Sequence, residues 1–131
     1  MNIGQAAKLS DLSVKTIRYY EDIELVKPER LDNGYRDYSD ADIHCLIFLK
    51  RSRGLGFTID ECRLLLSLYE DDHRSSRDVK AIANDKLVEI DRKIEELQSL
   101  KNTLNTLVDN CHGDDKPDCP IIDNLSGQHT Q

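Results

Sequence analysis

Cys111 and Cys119 frame a seven-residue polar loop, His112-Gly113-Asp114-Asp115-Lys116-Pro117-Asp118. A thiol pair across a turn can clamp a soft metal, close a disulfide, or do neither. Ligand number narrows the metal, because a structural zinc site wants four ligands in a tetrahedron. Beyond the two thiolates the loop offers His112 and the carboxylates of Asp114, Asp115 and Asp118. Carboxylates are hard donors and read as solvated. His112 reads as an exposed turn residue, with a third-ligand role left open. Two thiolates alone suit a monovalent d¹⁰ ion such as Cu(I), for which soft donors are selective. Cys45 and Cys62 fall in helical patterns and read as small, buried or half-buried thiols without chemistry.

A second constellation is basic. Lys15, Arg18, Arg36, Arg51 and Arg53 are interleaved with Tyr19 and Tyr35 in the first half of the chain. The formal net charge of −7 argues against a nucleic-acid partner, but the distribution of that charge removes the objection. Residues 1–57 carry nine Lys/Arg and nine Asp/Glu, whereas residues 58–131 carry nine and sixteen. The acidic excess therefore lies entirely in the second half, which leaves room for a basic face that meets phosphates. The alternative is an ordinary solvated face.

The elements that position these groups are helical. Asn2-Ile3-Gly4-Gln5 opens a short helix with a capping-box pattern, and Ser13 caps a second through Tyr20. Two short helices joined by the Ser10-Asp11-Leu12 turn form a helix-turn-helix signature. Pro28 breaks the chain, and Asn33-Gly34 predicts a small hairpin, or wing. Ser39 caps a third helix that carries Ile43, Leu46, Ile47 and Leu49 inward, and Thr58 caps a fourth through about Tyr69. The fold class is thus dominated by α-helix, with a winged helix-turn-helix over 1–70.

From residue 75 to 110 apolar residues recur in steps of four and three, through Leu87, Ile90, Ile94, Leu97 and Leu104. That is a coiled-coil seam roughly 50 Å long. A domain this small cannot cover it, so the helix must pair, most simply with its own copy. Residues 111–131 then form a loop and tail. No apolar run is long enough to span a membrane, and the amino terminus lacks signal-peptide features. A cytoplasmic, reducing location is expected, where disulfides are rare.

Ser13-Val14-Lys15-Thr16-Ile17-Arg18-Tyr19-Tyr20-Glu21, Asn33-Gly34-Tyr35-Arg36-Asp37-Tyr38 and Leu55-Gly56-Phe57 together resemble the MerR-type transcription regulators. The resemblance implies a winged helix-turn-helix, an antiparallel dimer helix and a carboxy-terminal inducer site. It also implies action on promoters whose elements are spaced too widely for RNA polymerase, by distortion of the DNA. It assigns Lys15, Thr16, Arg18 and Tyr19 to a recognition helix. Tyr35 and Arg36 fall to the wing, and Arg51 and Arg53 to a second wing region.

Cys111 and Cys119-Pro120-Ile121-Ile122 are similar to the copper-efflux branch of that family. Its zinc, lead and mercury sensors carry a longer loop and a third cysteine at the start of the dimer helix, where this chain has Ser76. That disfavours divalent ions and leaves Cu(I), Ag(I) and Au(I) as candidates. Two thiolates and M⁺ leave a net charge of −1, which Lys80 and the helix dipole would favour. Family members often carry Cys and His beyond the Ser-Gly pair; here His129 is assigned no role.

The expectation is a homodimeric, copper(I)-responsive activator of metal-efflux genes that works with RNA polymerase on double-stranded promoter DNA. No phosphate loop, nucleophile–base pair or carboxylate dyad points to an enzyme. Two rivals stand beside it. One is a thiol/disulfide redox-responsive regulator of the same DNA; the other is a coiled-coil adaptor with incidental cysteines.

Overall fold

The computed structural model describes residues 1–127; His129 lies outside the described residues. The chain forms helices α1 (Ile3–Ser10), α2 (Val14–Asp22), α3 (Asp40–Gly54), α4 (Ile59–Tyr69), α5 (Ser76–Asn110) and α6 (Pro120–Leu125). A two-stranded antiparallel sheet of β1 (Glu29–Arg30) and β2 (Arg36–Asp37) stands between α2 and α3. Two compact units result, Met1–Ala83 and the segment from Asn84 onward.

Helix starts in the first unit follow their capping residues. Asn2, Ser39 and Thr58 each accept from the third residue of the helix, and Gln5, Asp42 and Glu61 return a bond to the cap. Such reciprocal bonds satisfy amides that the helix cannot, each cap contributing about 1 kcal/mol. Ser13 accepts from the Thr16 amide to start α2. Asp11 ends α1 in the left-handed region, at φ 57°. It thereby makes the turn that an Asp tolerates better than most residues.

The core of this unit gathers Ala6 from α1, Ile17 and Tyr20 from α2, and Leu46 and Leu49 from α3. Phe57, Cys62 and Leu66 complete it from the α3–α4 turn and α4, and Ile82 from α5 packs against it. Tyr38, only 1% exposed, brings the end of the wing into the same cluster. Ile47 is half-buried rather than buried. It packs against the core all the same, so the inward set of Ile43, Leu46, Ile47 and Leu49 holds, and Cys45 is buried beside it.

The hairpin is shorter than its flanking sequence implies, with Arg30 opposite Arg36 and Glu29 opposite Asp37. The Gly34 amide donates to the Leu31 carbonyl at 2.9 Å, and the Leu31 amide to the Tyr35 carbonyl at 2.7 Å. Gly34 sits at φ +84°, where a side chain would be strained. Asn33-Gly34 thus closes a turn followed by a left-handed glycine, a common way to join two strands.

In the second unit, the α5 stripe of Leu87, Ile94, Leu97, Leu100, Leu104 and Val108 is exposed along the chain. Helix α6 was not expected from the sequence. Pro120 at its first turn supplies the ready-made φ that starts a helix. Among the described residues no helix is long and apolar enough to cross a membrane.

Candidate DNA interface and metal centre

Helix α2 presents Lys15, Arg18 and Tyr19 to solvent, with Thr16 half-buried. Thr16 is held by Ser13, whose hydroxyl donates to Thr16 Oγ1 at 2.8 Å while its oxygen caps the helix. Tyr35, at the wing tip, is 72% exposed. Asn2, Arg18, Tyr35 and Arg36 line one concavity of about 500 Å³ between the start of α1, α2 and the wing. The structure therefore brings α2 and wing residues to a shared face.

Arg36 is less free than the sequence implies. Its Nε donates to Glu21 Oε1, and the Tyr38 hydroxyl donates to Glu21 Oε2 at 3.2 Å. The Glu21 carboxylate raises the Arg36 guanidinium further above its ordinary value. Tyr38 is pushed up to about 12, first by burial and then by the Glu21 charge. Sequence reasoning assigned Glu21 no role of its own. Its only signal was a carboxylate at the end of a basic helix, fifteen residues from its partner.

The basic cluster Lys50-Arg51-Ser52-Arg53 also divides. Lys50 is held by the Asp11 carboxylate and donates to its carbonyl at 2.7 Å, which lowers the Asp11 carboxyl from its usual range. Ser52 is buried and donates to the Phe48 carbonyl at 2.8 Å. Arg53 donates to the Phe57 carbonyl at 2.7 Å, and so braces the α3–α4 turn. Arg51 and Arg53 are both exposed. In that turn Phe57 is buried while Leu55 is 68% exposed.

At the other end of the chain, the Cys111 and Cys119 sulfurs lie 3.4 Å apart, both half-buried. Cys111 follows the last turn of α5, its amide donating to the Val108 carbonyl at 3.1 Å. Cys119 occupies the position before α6. Its thiol is lowered from the ordinary value by the Ile122 amide first, then by Cys111 and the Ile121 amide. Amide N–H groups directed at the sulfur favour its thiolate form.

Both sulfurs are free thiols, beyond the roughly 2.05 Å of a disulfide. Thiolate–metal bonds of about 2.3 Å, as for zinc, let a pair at this spacing touch one ion with a bent angle. Linear coordination needs about 4.6 Å between sulfurs, twice that bond length. Among the described residues no group of three or more His, Cys, Asp or Glu side chains converges to hold a metal. His112 and the loop aspartates are exposed and stand outside any such cluster. Ser76 and Lys80, at the start of α5, are exposed as well.

Residues 1–68 match the family described as "MerR HTH family regulatory protein", and residues 43–107 match "MerR, DNA binding". The chain belongs to the MerR family. These are DNA-binding transcription regulators and not enzymes. A MerR relative from Rhizobium leguminosarum bv. viciae, the HTH-type transcriptional regulator HmrR, is 63% identical over 126 residues, 96% of this chain and 98% of its own. The HTH-type transcriptional regulator CueR of Salmonella typhimurium is 47% identical, covering 97% of this chain and 93% of its own. The fold is likewise that of a solved MerR structure, the transcription regulator PbrR691 from Ralstonia metallidurans in complex with lead(II). That match has a TM-score of 0.83 at 30% identity, over 95% of this chain and 98% of that one. Within the MerR family the chain thus groups with metal-responsive regulators.

Proposed function

We propose that the chain is a copper(I)-responsive transcriptional activator that acts as a homodimer on promoter DNA. One observation carries the metal assignment: two facing thiols, 3.4 Å apart, without a converging third ligand among the described residues. Soft, two-donor sites favour monovalent d¹⁰ ions, so Cu(I), Ag(I) and Au(I) fit better than divalent ions that seek more donors. The likeness to CueR supports the same reading. The lead(II) complex of PbrR691 makes the divalent alternative a necessary arm of any test.

The exposed α5 stripe supports the homodimer, since apolar surface of that length is covered in an antiparallel pair. In such a dimer Lys80 and the α5 amino terminus of the second copy would balance the net −1 of two thiolates and M⁺. Ser76 leaves that position without a third thiolate. Lys15, Thr16, Arg18, Tyr19, Tyr35, Arg36, Arg51 and Arg53 are the proposed DNA-contacting set. Metal at Cys111 and Cys119 would order the loop and shift the DNA-bound dimer between two shapes. RNA polymerase, in the cytoplasm, would read that change at a promoter with an overlong spacer.

In vitro transcription from such a promoter with Cu(I), Ag(I), Zn(II) and Hg(II) tests the proposal. Activation by the monovalent ions alone is expected. Activation by zinc and not copper would overturn the metal assignment. The sulfur contact also supports a second reading, a thiol/disulfide switch. Intact mass of anaerobically purified protein separates the two, since metal adds its mass whereas disulfide formation removes two hydrogens.

A further inference from the structure

Glu21 has both carboxylate oxygens engaged, Oε1 by Arg36 and Oε2 by Tyr38. Its side chain is 15% exposed and that of Arg36 35%, so the pair is partly shielded from water. Glu21 belongs to the last turn of α2, Arg36 to β2, and Tyr38 to the core. A single carboxylate therefore joins the recognition helix to the wing. Arg36 uses only Nε in this bond, and neither terminal nitrogen has a partner among the described residues. A guanidinium gripped through Nε keeps its outward edge for an anion, and its direction is already fixed.

We propose that Glu21 is a positioning residue of the DNA interface, fixing the Arg36 guanidinium and the wing relative to the recognition helix before DNA is met. The proposal rests on the reading of α2 and the wing as the DNA-contacting face. Its consequence is discrimination and not raw affinity. A free arginine on a mobile wing would follow any phosphate backbone, because that attraction is independent of sequence. A held arginine meets a phosphate at one offset from the recognition helix, and only DNA that accepts the helix in register satisfies both. Glu21 also removes one unit of positive charge from the face, which limits attachment to bulk DNA.

The test measures binding of the full chain to an inverted-repeat operator and to unrelated duplex over a salt series. Wild type, Glu21→Ala, Glu21→Gln, Arg36→Ala and the double Glu21→Ala/Arg36→Ala variant are compared. For Glu21→Ala, operator preference over unrelated DNA should fall about tenfold, the scale of one lost charge-assisted bond. Its binding to unrelated DNA should hold or tighten, with a salt slope steeper by about 0.9 for one freed cation. Glu21→Gln retains an oxygen for Nε and should keep most of the preference. With Arg36 absent, the Glu21 substitution should no longer change preference. Equal loss on both DNAs, or an unchanged effect without Arg36, would assign Glu21 a merely structural role and overturn the proposal. Failure of wild type to bind either DNA would instead remove the interface reading beneath it.

Discussion

Arg63 Nη2 donates to the carbonyl oxygen of Ile23 at 2.8 Å, tying α4 to the end of α2. The last carbonyls of a helix have no partner within it, and a cation there also meets the negative end of the dipole. Because Arg63 is exposed, the bond contributes about 1 kcal/mol. Arg63→Ala should lower stability by that amount in urea unfolding monitored by circular dichroism. An unchanged midpoint and slope would show that water replaces the bond without cost.

Cys45 and Cys119 should differ sharply in reactivity. Cys45 donates to the Leu25 carbonyl at 3.4 Å and is pushed up to about 12, first by burial and then by Glu70 and Asp42. At pH 8 only about one such thiol in ten thousand is ionised. Cys119 is shifted the other way by the amides that begin α6. Iodoacetamide near neutral pH should therefore label Cys119 in the native protein and Cys45 only after unfolding. Labelling of Cys119 should slow as pH falls, by about tenfold per unit once the thiol form dominates. Peptide mapping that finds Cys45 labelled as fast as Cys119 would contradict this order.

Ile94, 57% exposed in the single chain, lies mid-way along the α5 stripe. If two copies bury it, Ile94→Asp removes two apolar side chains from one interface, at least about 3 kcal/mol together. The dissociation constant should rise more than about a hundredfold. Sedimentation velocity across a dilution series reads this directly. A variant that sediments like the wild type at every concentration would exclude α5 as the pairing surface.

Single Cys111→Ser and Cys119→Ser variants should each lose the transcriptional response to Cu(I) while retaining operator binding. A hydroxyl is a hard donor and leaves one thiolate, too few for a clamp. A footprint lost along with the response would mean that the loop is needed for DNA binding itself.

The helix-turn-helix was legible because its signals are local. Asn2, Ser13, Ser39 and Thr58 announce their helices by side chains that reach only three residues onward. The stripe of α5 was legible for the same reason, as was the turn at Gly34. The long-range pairs were not. Nothing in the spacing of Glu21 and Arg36, or of Asp11 and Lys50, distinguishes a paired charge from a solvated one. The facing of Cys111 and Cys119 lies between these cases, since eight positions of chain permit contact without compelling it. Helix α6 escaped because its six residues are too few for a period to emerge from two adjacent isoleucines.

The loop that joins the two thiols is held by little besides its ends. Between His112 and Asp118 the described residues contribute one hydrogen bond that starts and ends within the loop, from the Lys116 amide to Asp114 Oδ1 at 2.9 Å. Any ligand that bridges the two sulfurs must also confine this backbone, at about 1–2 kcal/mol for each residue that it newly fixes. On the proposed reading, the response threshold would be a property of chain entropy as much as of sulfur chemistry. Residues that would never touch the proposed ion, Gly113 and Pro117 among them, would then shift the set-point of the proposed switch and leave its selectivity alone.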